Sequence, residues 1–156
     1  MSEQAVSPAA LDAWVGLLRA HSSMTRDFNA ELLGSHGLTI NSFEALLHLS
    51  RAEEGRMRRV DLADGLLLTA SGVTRLLDGL ESLGLVDRAA CSSDRRVVYA
   101  VITDEGRERL RAAWDSHTAA VAAVFEERLS PEELAQLTAL LNRLPGGRPD
   151  ADCAAG

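Results

Sequence analysis

One stretch limits the possible folds more than any other. In "LTASGVTRLLDGLESLG" (68–84), Val73, Leu76, Leu77 and Leu80 recur at helical spacing, and Thr69 stands where an N-cap belongs. Gly84 then stops the helix, and two runs of strand character follow at once, "LVDRAA" (85–90) and "VVYAVI" (97–102). The tip between them, within "CSSDRRVV" (91–98), ends in Asp94, Arg95 and Arg96. A shorter helix is expected just before this unit, at 59–66, after the turn "AEEGR". Helix, helix, hairpin is the order of a winged helix-turn-helix.

The flanks are helical. Ser7 and Pro8 supply a cap and a first-turn proline for a long helix whose apolar residues, Leu11, Trp14, Val15, Leu18, Phe28, Leu32 and Leu33, run up to Gly34. A helix over 41–51 follows, with Asn41 and Glu44 spaced as a capping box. Thr103 caps an amphipathic helix of about 25 residues. Ser130, Pro131 and Glu133 open the last one. The fold class is therefore mostly α with a small β-hairpin wing: a winged helix-turn-helix over 37–103 and a helical dimerisation region over 1–36 and 104–144. The tail at 145–156, rich in Gly, Pro, Asp and Ala, is expected to fray. Trp14, Phe28, Trp114 and Phe125 lie on stripes wide for the surface of one small domain. Intertwined terminal helices in a homodimer would cover them; an elongated monomer is the alternative.

Charge is uneven. The net charge is −7, yet residues 56–96 sum to +1 and the remainder to −8. The positive charge is thus gathered where the helix-helix-hairpin unit lies, which suits a nucleic-acid face on an otherwise acidic chain. All 16 basic residues are Arg, a bias that a GC-rich genome would also produce, so it carries no functional weight.

On the helix that begins after Thr69, Ser71, Thr74, Arg75 and Asp78 share the face opposite the apolar stripe. Ser71, Thr74 and Arg75 crowd its N-terminal half, the end that a recognition helix presents to the major groove. Arg can grip a guanine edge or a phosphate, and Ser and Thr suit phosphates or either kind of base. The helix alone is equally compatible with a solvated face. The hairpin tilts the reading, because paired arginines at an otherwise small and polar tip suit a narrow minor groove. Asp94 is expected to orient an arginine rather than touch DNA, since phosphate repels a carboxylate.

The run "VDLADGLLLTASGVTRLLDGLESLGLVDRAACSSDRRVVYAVITDEG" (60–106) resembles the MarR family of transcription regulators. The elements match in order: an "LA" helix, "S-x-V-T-R-L-x-D-x-L-E-x-x-G-L-V-x-R", a "D-R-R" wing, and "T-x-x-G" opening the next helix. With the flanking helices the resemblance covers about residues 8–144. It implies a homodimer on a pseudo-palindromic operator in double-stranded DNA, with half-sites about one helical turn apart. It implies major-groove contacts from Ser71, Thr74 and Arg75 beside the cap Thr69, and a wing built on Asp94, Arg95 and Arg96. It also implies a repressor released by a small aromatic or phenolic effector. Two positions depart from the pattern. Leu67 stands where the turn usually carries Gly or a polar residue, and Gly65 interrupts the supporting helix. A winged-helix dimer that senses a ligand or binds protein without specific DNA affinity is the other reading.

Family ligands bind between the dimerisation helices and the DNA-binding lobe, so Trp14, Arg19, His21 and His48 are candidates to line such a cavity. Each also has an ordinary structural reading. The four histidines (21, 36, 48 and 117) lack zinc-site spacing, so neither a metal nor a cofactor is expected. No phosphate loop, serine elbow or acid pair points to an enzyme. The N-terminus lacks signal-peptide character and no apolar run reaches membrane length, so a cytoplasmic location with no membrane contact is expected. Cys91 reads as an incidental small residue, and two cysteines are too few for a disulfide framework.

Overall fold

The computed structural model describes residues 6–146. Six helices, α1 (Pro8–His36), α2 (Ile40–Arg51), α3 (Arg59–Gly65), α4 (Ala70–Ser82), α5 (Asp104–Phe125) and α6 (Pro131–Leu141), surround a small sheet. Its strands are β1 (Arg56–Arg58), β2 (Val86–Ala90) and β3 (Val98–Ile102), in the order β1-β3-β2, antiparallel throughout.

The helix starts follow from side-chain caps. Ser7, Thr69, Thr103 and Ser130 each accept from a backbone N–H in the first turn, and Ser130 with Glu133 completes a capping box. The expected box at Asn41 and Glu44 does not form. Thr39 caps α2 instead, accepting from Ser42 N at 3.1 Å, which places Asn41 inside the helix. Helix α1 runs past Gly34 to His36, and Gly37 closes it in the left-handed conformation with φ 67°. Helix α5 has 22 residues.

The hairpin is joined by a third strand that the sequence pattern did not predict. Arg56, Met57 and Arg58 pair with Val101, Ala100 and Tyr99. "RMR" shows no strand-like alternation over so short a span, and becomes a strand only because β3 offers it an open edge.

One core holds α2, α3, α4, the sheet, the end of α1 and the start of α5 together. Leu32 of α1, Leu46 and Leu49 of α2, Leu62 of α3, Leu77 and Leu80 of α4 and Val86 of β2 are fully or almost fully buried. No polar or charged residue is buried among the described residues. The "T-x-x-G" segment is a joint in this core. Thr103 donates its hydroxyl to Gly84 O at 2.7 Å and its N–H to Leu85 O at 3.1 Å, while Oγ1 accepts from Gly106 N at 3.0 Å. A β-carbon on Gly106 would collide with the Leu85 carbonyl, so only glycine lets α5 leave the sheet this closely.

The ends of the chain look different. Every residue from Pro8 to Ser22 of α1 is exposed, and α6 buries none of its residues. Leu11, Trp14, Leu18, Leu140 and Leu144 present apolar side chains to solvent, Trp14 at 57% exposure.

Candidate nucleic-acid interface

Helix α4 divides as its sequence requires. Val73, Leu77 and Leu80 face inward, and Ser71 and Arg75 are exposed on the other side. Thr69 Oγ1 accepts from Gly72 N at 3.0 Å and lies 3.2 Å from Ser71 Oγ, so cap and face form one polar patch at the helix start. Thr74, half-buried, donates its hydroxyl to Ala70 O at 2.8 Å. That leaves it a lone pair and a methyl group for a partner. Arg75 makes no ion pair among the described residues. Asp78 does not stand free on this face: Arg88 of β2 pairs with it and reaches Glu81 at 3.3 Å. The acid that shares the face of Arg75 is thus offset, and Arg88 is committed to tying α4 to the sheet.

The wing tip is ordered by Asp94. Its Oδ1 accepts from Arg96 N at 2.9 Å and faces Arg96 Nε at 3.4 Å. Backbone bonds from Cys91 N to Val97 O and from Val97 N to Asp94 O, both 3.1 Å, close the loop. The Arg96 side chain is 94% exposed, and Arg95 is exposed beside it. Asp94 therefore shapes the tip and leaves the arginines pointing outward. Hydrogen bonds from Ser93, then Asp94, hold the Cys91 thiol below its usual range.

Both departures from the sequence pattern have local explanations. Leu67 adopts φ 54° and is 86% exposed, taking the left-handed turn that glycine makes freely. The turn between α3 and α4 is kept, at a cost in backbone strain. Gly65 lies where α3 meets α2, and a β-carbon there would come within 3.2 Å of His48 Cε1.

The four candidate ligand residues are not brought together. Trp14, Arg19 and His21 lie on the exposed half of α1, and His48 is half-buried beside Gly65. A cavity of about 400 Å³ instead opens between α2, α5 and α6, and none of the four lines it. Its walls include Phe43, Leu47, Trp114, His117 and Phe125, with Glu44 and Glu126 as its charged groups. Phe43 stacks on Trp114 at 6.2 Å between centroids and tilts against His117 at 4.7 Å. Burial lowers the His117 pKa, against the opposing pull of Glu31 and Glu44, and its Nδ1 is buried without a hydrogen-bond partner. No cluster of three or more His, Cys, Asp or Glu side chains that could hold a metal ion occurs among the described residues. Nor is any helix among them long and apolar enough to cross a membrane.

Two helices joined by a strained turn, a polar helix face with a free arginine, and an arginine-tipped hairpin define a winged helix-turn-helix DNA-binding protein. Residues 36–97 match the profile of the MarR family. The chain is 30% identical over 134 residues to the HTH-type transcriptional regulator MhqR of Bacillus subtilis, spanning 86% of this chain and 90% of that one. Among solved structures it is similar to AbsC, a MarR family transcriptional regulator from Streptomyces coelicolor, with 33% identity, TM-score 0.81 and coverage of 90% and 94% of the two chains. It is also similar to Sco3205 of the same organism, a MarR family regulator crystallised with DNA, with 26% identity, TM-score 0.86 and coverage of 97% and 96%. The chain belongs to the MarR family and is a DNA-binding transcriptional regulator.

Proposed function

We propose that this regulator acts as a homodimeric repressor on a pseudo-palindromic operator and leaves it when a small aromatic or phenolic effector binds. The observation that carries the DNA contacts is the set of polar groups on two adjoining elements, with Ser71, Arg75, Arg95 and Arg96 exposed. Thr69, Ser71, Thr74 and Arg75 enter the major groove from α4, and Arg95 and Arg96, set by Asp94, enter the neighbouring minor groove from the wing. The exposed apolar faces of α1 and α6 support the dimer, since a second copy would cover the patches that one protomer leaves open. The regions 1–36 and 104–144 then serve dimerisation, and 37–103 reads DNA.

The cavity beside Phe43 and Trp114 is the effector site in this reading. Phe43, Trp114 and Phe125 offer aromatic faces to a flat apolar ring, and the carboxylates of Glu44 and Glu126 disfavour an anion. Binding there wedges α2 against α5, and so links the helical arms to the DNA-binding region.

Gel shifts with a duplex selected from a random library test the DNA contacts. Arg75→Ala should cost about 1–3 kcal/mol and relax the preference at one base position. Arg96→Ala should weaken binding strongly while the chain keeps its oligomeric state. Unchanged affinity in both variants would remove the assignment.

A further inference from the structure

Between α4 and the wing lies a basic seam that belongs to neither. Arg59, the first residue of α3, lines two clefts at once. One, of about 90 Å³, it shares with Arg58 and with Arg96, Val97 and Val98 of the wing. The other, of about 160 Å³, it shares with Leu68, Ala70 and Val73 at the start of α4. No other side chain except that of its neighbour Val60 lines both. Arg59 therefore sits midway between the two groups of DNA contacts.

Its charge is also free. Arg58, one residue earlier, gives its guanidinium fork to Asp61 through Nε at 2.6 Å and Nη2 at 2.8 Å. Arg56 pairs with Glu54 at 2.8 Å. Arg59 forms no ion pair among the described residues, although Asp64 lines one of its clefts. A half-buried arginine set beside Val97 and Val98 on one side and Leu68 and Val73 on the other is a side chain positioned by packing, with a guanidinium that makes no ion pair among the described residues.

The geometry of the duplex says what would meet it. A helix in the major groove and a wing in the adjacent minor groove straddle the sugar-phosphate strand that separates the two grooves. With α4 and the wing so placed, that strand would cross the seam. We propose that Arg59 grips a backbone phosphate of this strand, as the contact that sets how deeply α4 and the wing enter their grooves together. The ligand class is a phosphodiester, for which the planar fork of arginine is suited. The assignment rests on the DNA-binding reading of α4 and the wing and adds to it a contact that carries no sequence information.

Fluorescence anisotropy of the full chain tests it, with the library-selected duplex and a shuffled duplex of the same composition, over a salt series from about 50 to 200 mM. Arg59→Gln should weaken both duplexes by the same factor, roughly ten-fold, and lower the slope of log affinity against log salt by about 1. Arg59→Lys should restore most of the loss, because a phosphate accepts a point charge. The melting temperature of Arg59→Gln should match that of the parent chain, which separates a phosphate contact from a packing role. Arg75→Gln in the same assay should narrow the gap between the two duplexes, so the two arginines are told apart. Parent-like affinity and slope in Arg59→Gln would overturn the proposal, as would a loss confined to the selected duplex. If the parent chain itself bound neither duplex, the DNA-binding reading would fail and this contact with it.

Discussion

The middle of the molecule and its ends obey different rules. Between Leu32 and Ala113 each helix and the sheet contribute to one dry core, and the buried side chains are all apolar. In the first half of α1 and in α6 nothing is buried, although both carry large apolar residues of the kinds that fill the core. A tryptophan at 57% exposure and a row of half-exposed leucines cannot contribute their burial energy within one protomer. The difference teaches that the middle of the chain satisfies its apolar surface by itself, whereas the helical arms leave theirs open, as the proposed dimer requires.

Breaking the arms should have the largest effect. Trp14→Glu is expected to weaken self-association by about 2 kcal/mol or more, the cost typical of a buried aromatic anchor. Sedimentation equilibrium reads this, and circular dichroism should show a helix content close to the parent's. If the variant associates as the parent does, α1 is not the interface. Breaking the core should act the other way round. Gly106→Ala drives a methyl group into the Leu85 carbonyl and is expected to cost about 1–3 kcal/mol in thermal unfolding, with assembly of the folded fraction unchanged.

Two smaller effects sharpen the contrast. Leu67 is strained and exposed, so Leu67→Gly relieves the left-handed backbone without emptying the core. It should be neutral or stabilising, by up to about 1 kcal/mol, and a clear loss of stability would show that the leucine has a partner. His117 joins the two regions, and its folded-state pKa lies below the ordinary 6.5. Below that pH the unfolded chain takes up a proton more readily than the folded one. Stability is therefore full above about 6.5 and falls as the pH drops toward the folded value. Denaturant unfolding at pH 7 and pH 5 should show this drop, and His117→Phe should reduce it.

Much of this contrast is legible in the sequence. The caps at Thr69, Thr103 and Ser130 are local bonds between a side chain and a backbone a few residues on, so spacing alone reveals them. The free face of α4 and the arginine tip were legible for the same reason: helical and strand periods assign faces directly. What escaped was set by distant partners. Strand β1 exists because β3 has an open edge. Thr39 displaced Asn41 as the cap of α2, one good cap residue beating another two positions away. Asp78 shares a face with Arg75, and only the path of β2 brings Arg88 back to offset it. The cavity was out of reach, because Phe43, Trp114 and Leu134 meet through tertiary packing. The sequence candidates Trp14, Arg19 and His21 lie on the exposed half of α1 and do not line it.

The central claim, a self-contained reader joined in pairs by its arms, comes down to one stoichiometry. Sedimentation velocity of the 16.7 kDa chain with a labelled, library-selected duplex counts the protomers on each DNA molecule. Two protomers per duplex, displaced by salt and with far lower occupancy of a shuffled duplex, is the result predicted here. One protomer per duplex, or equal occupancy of both duplexes, would contradict it.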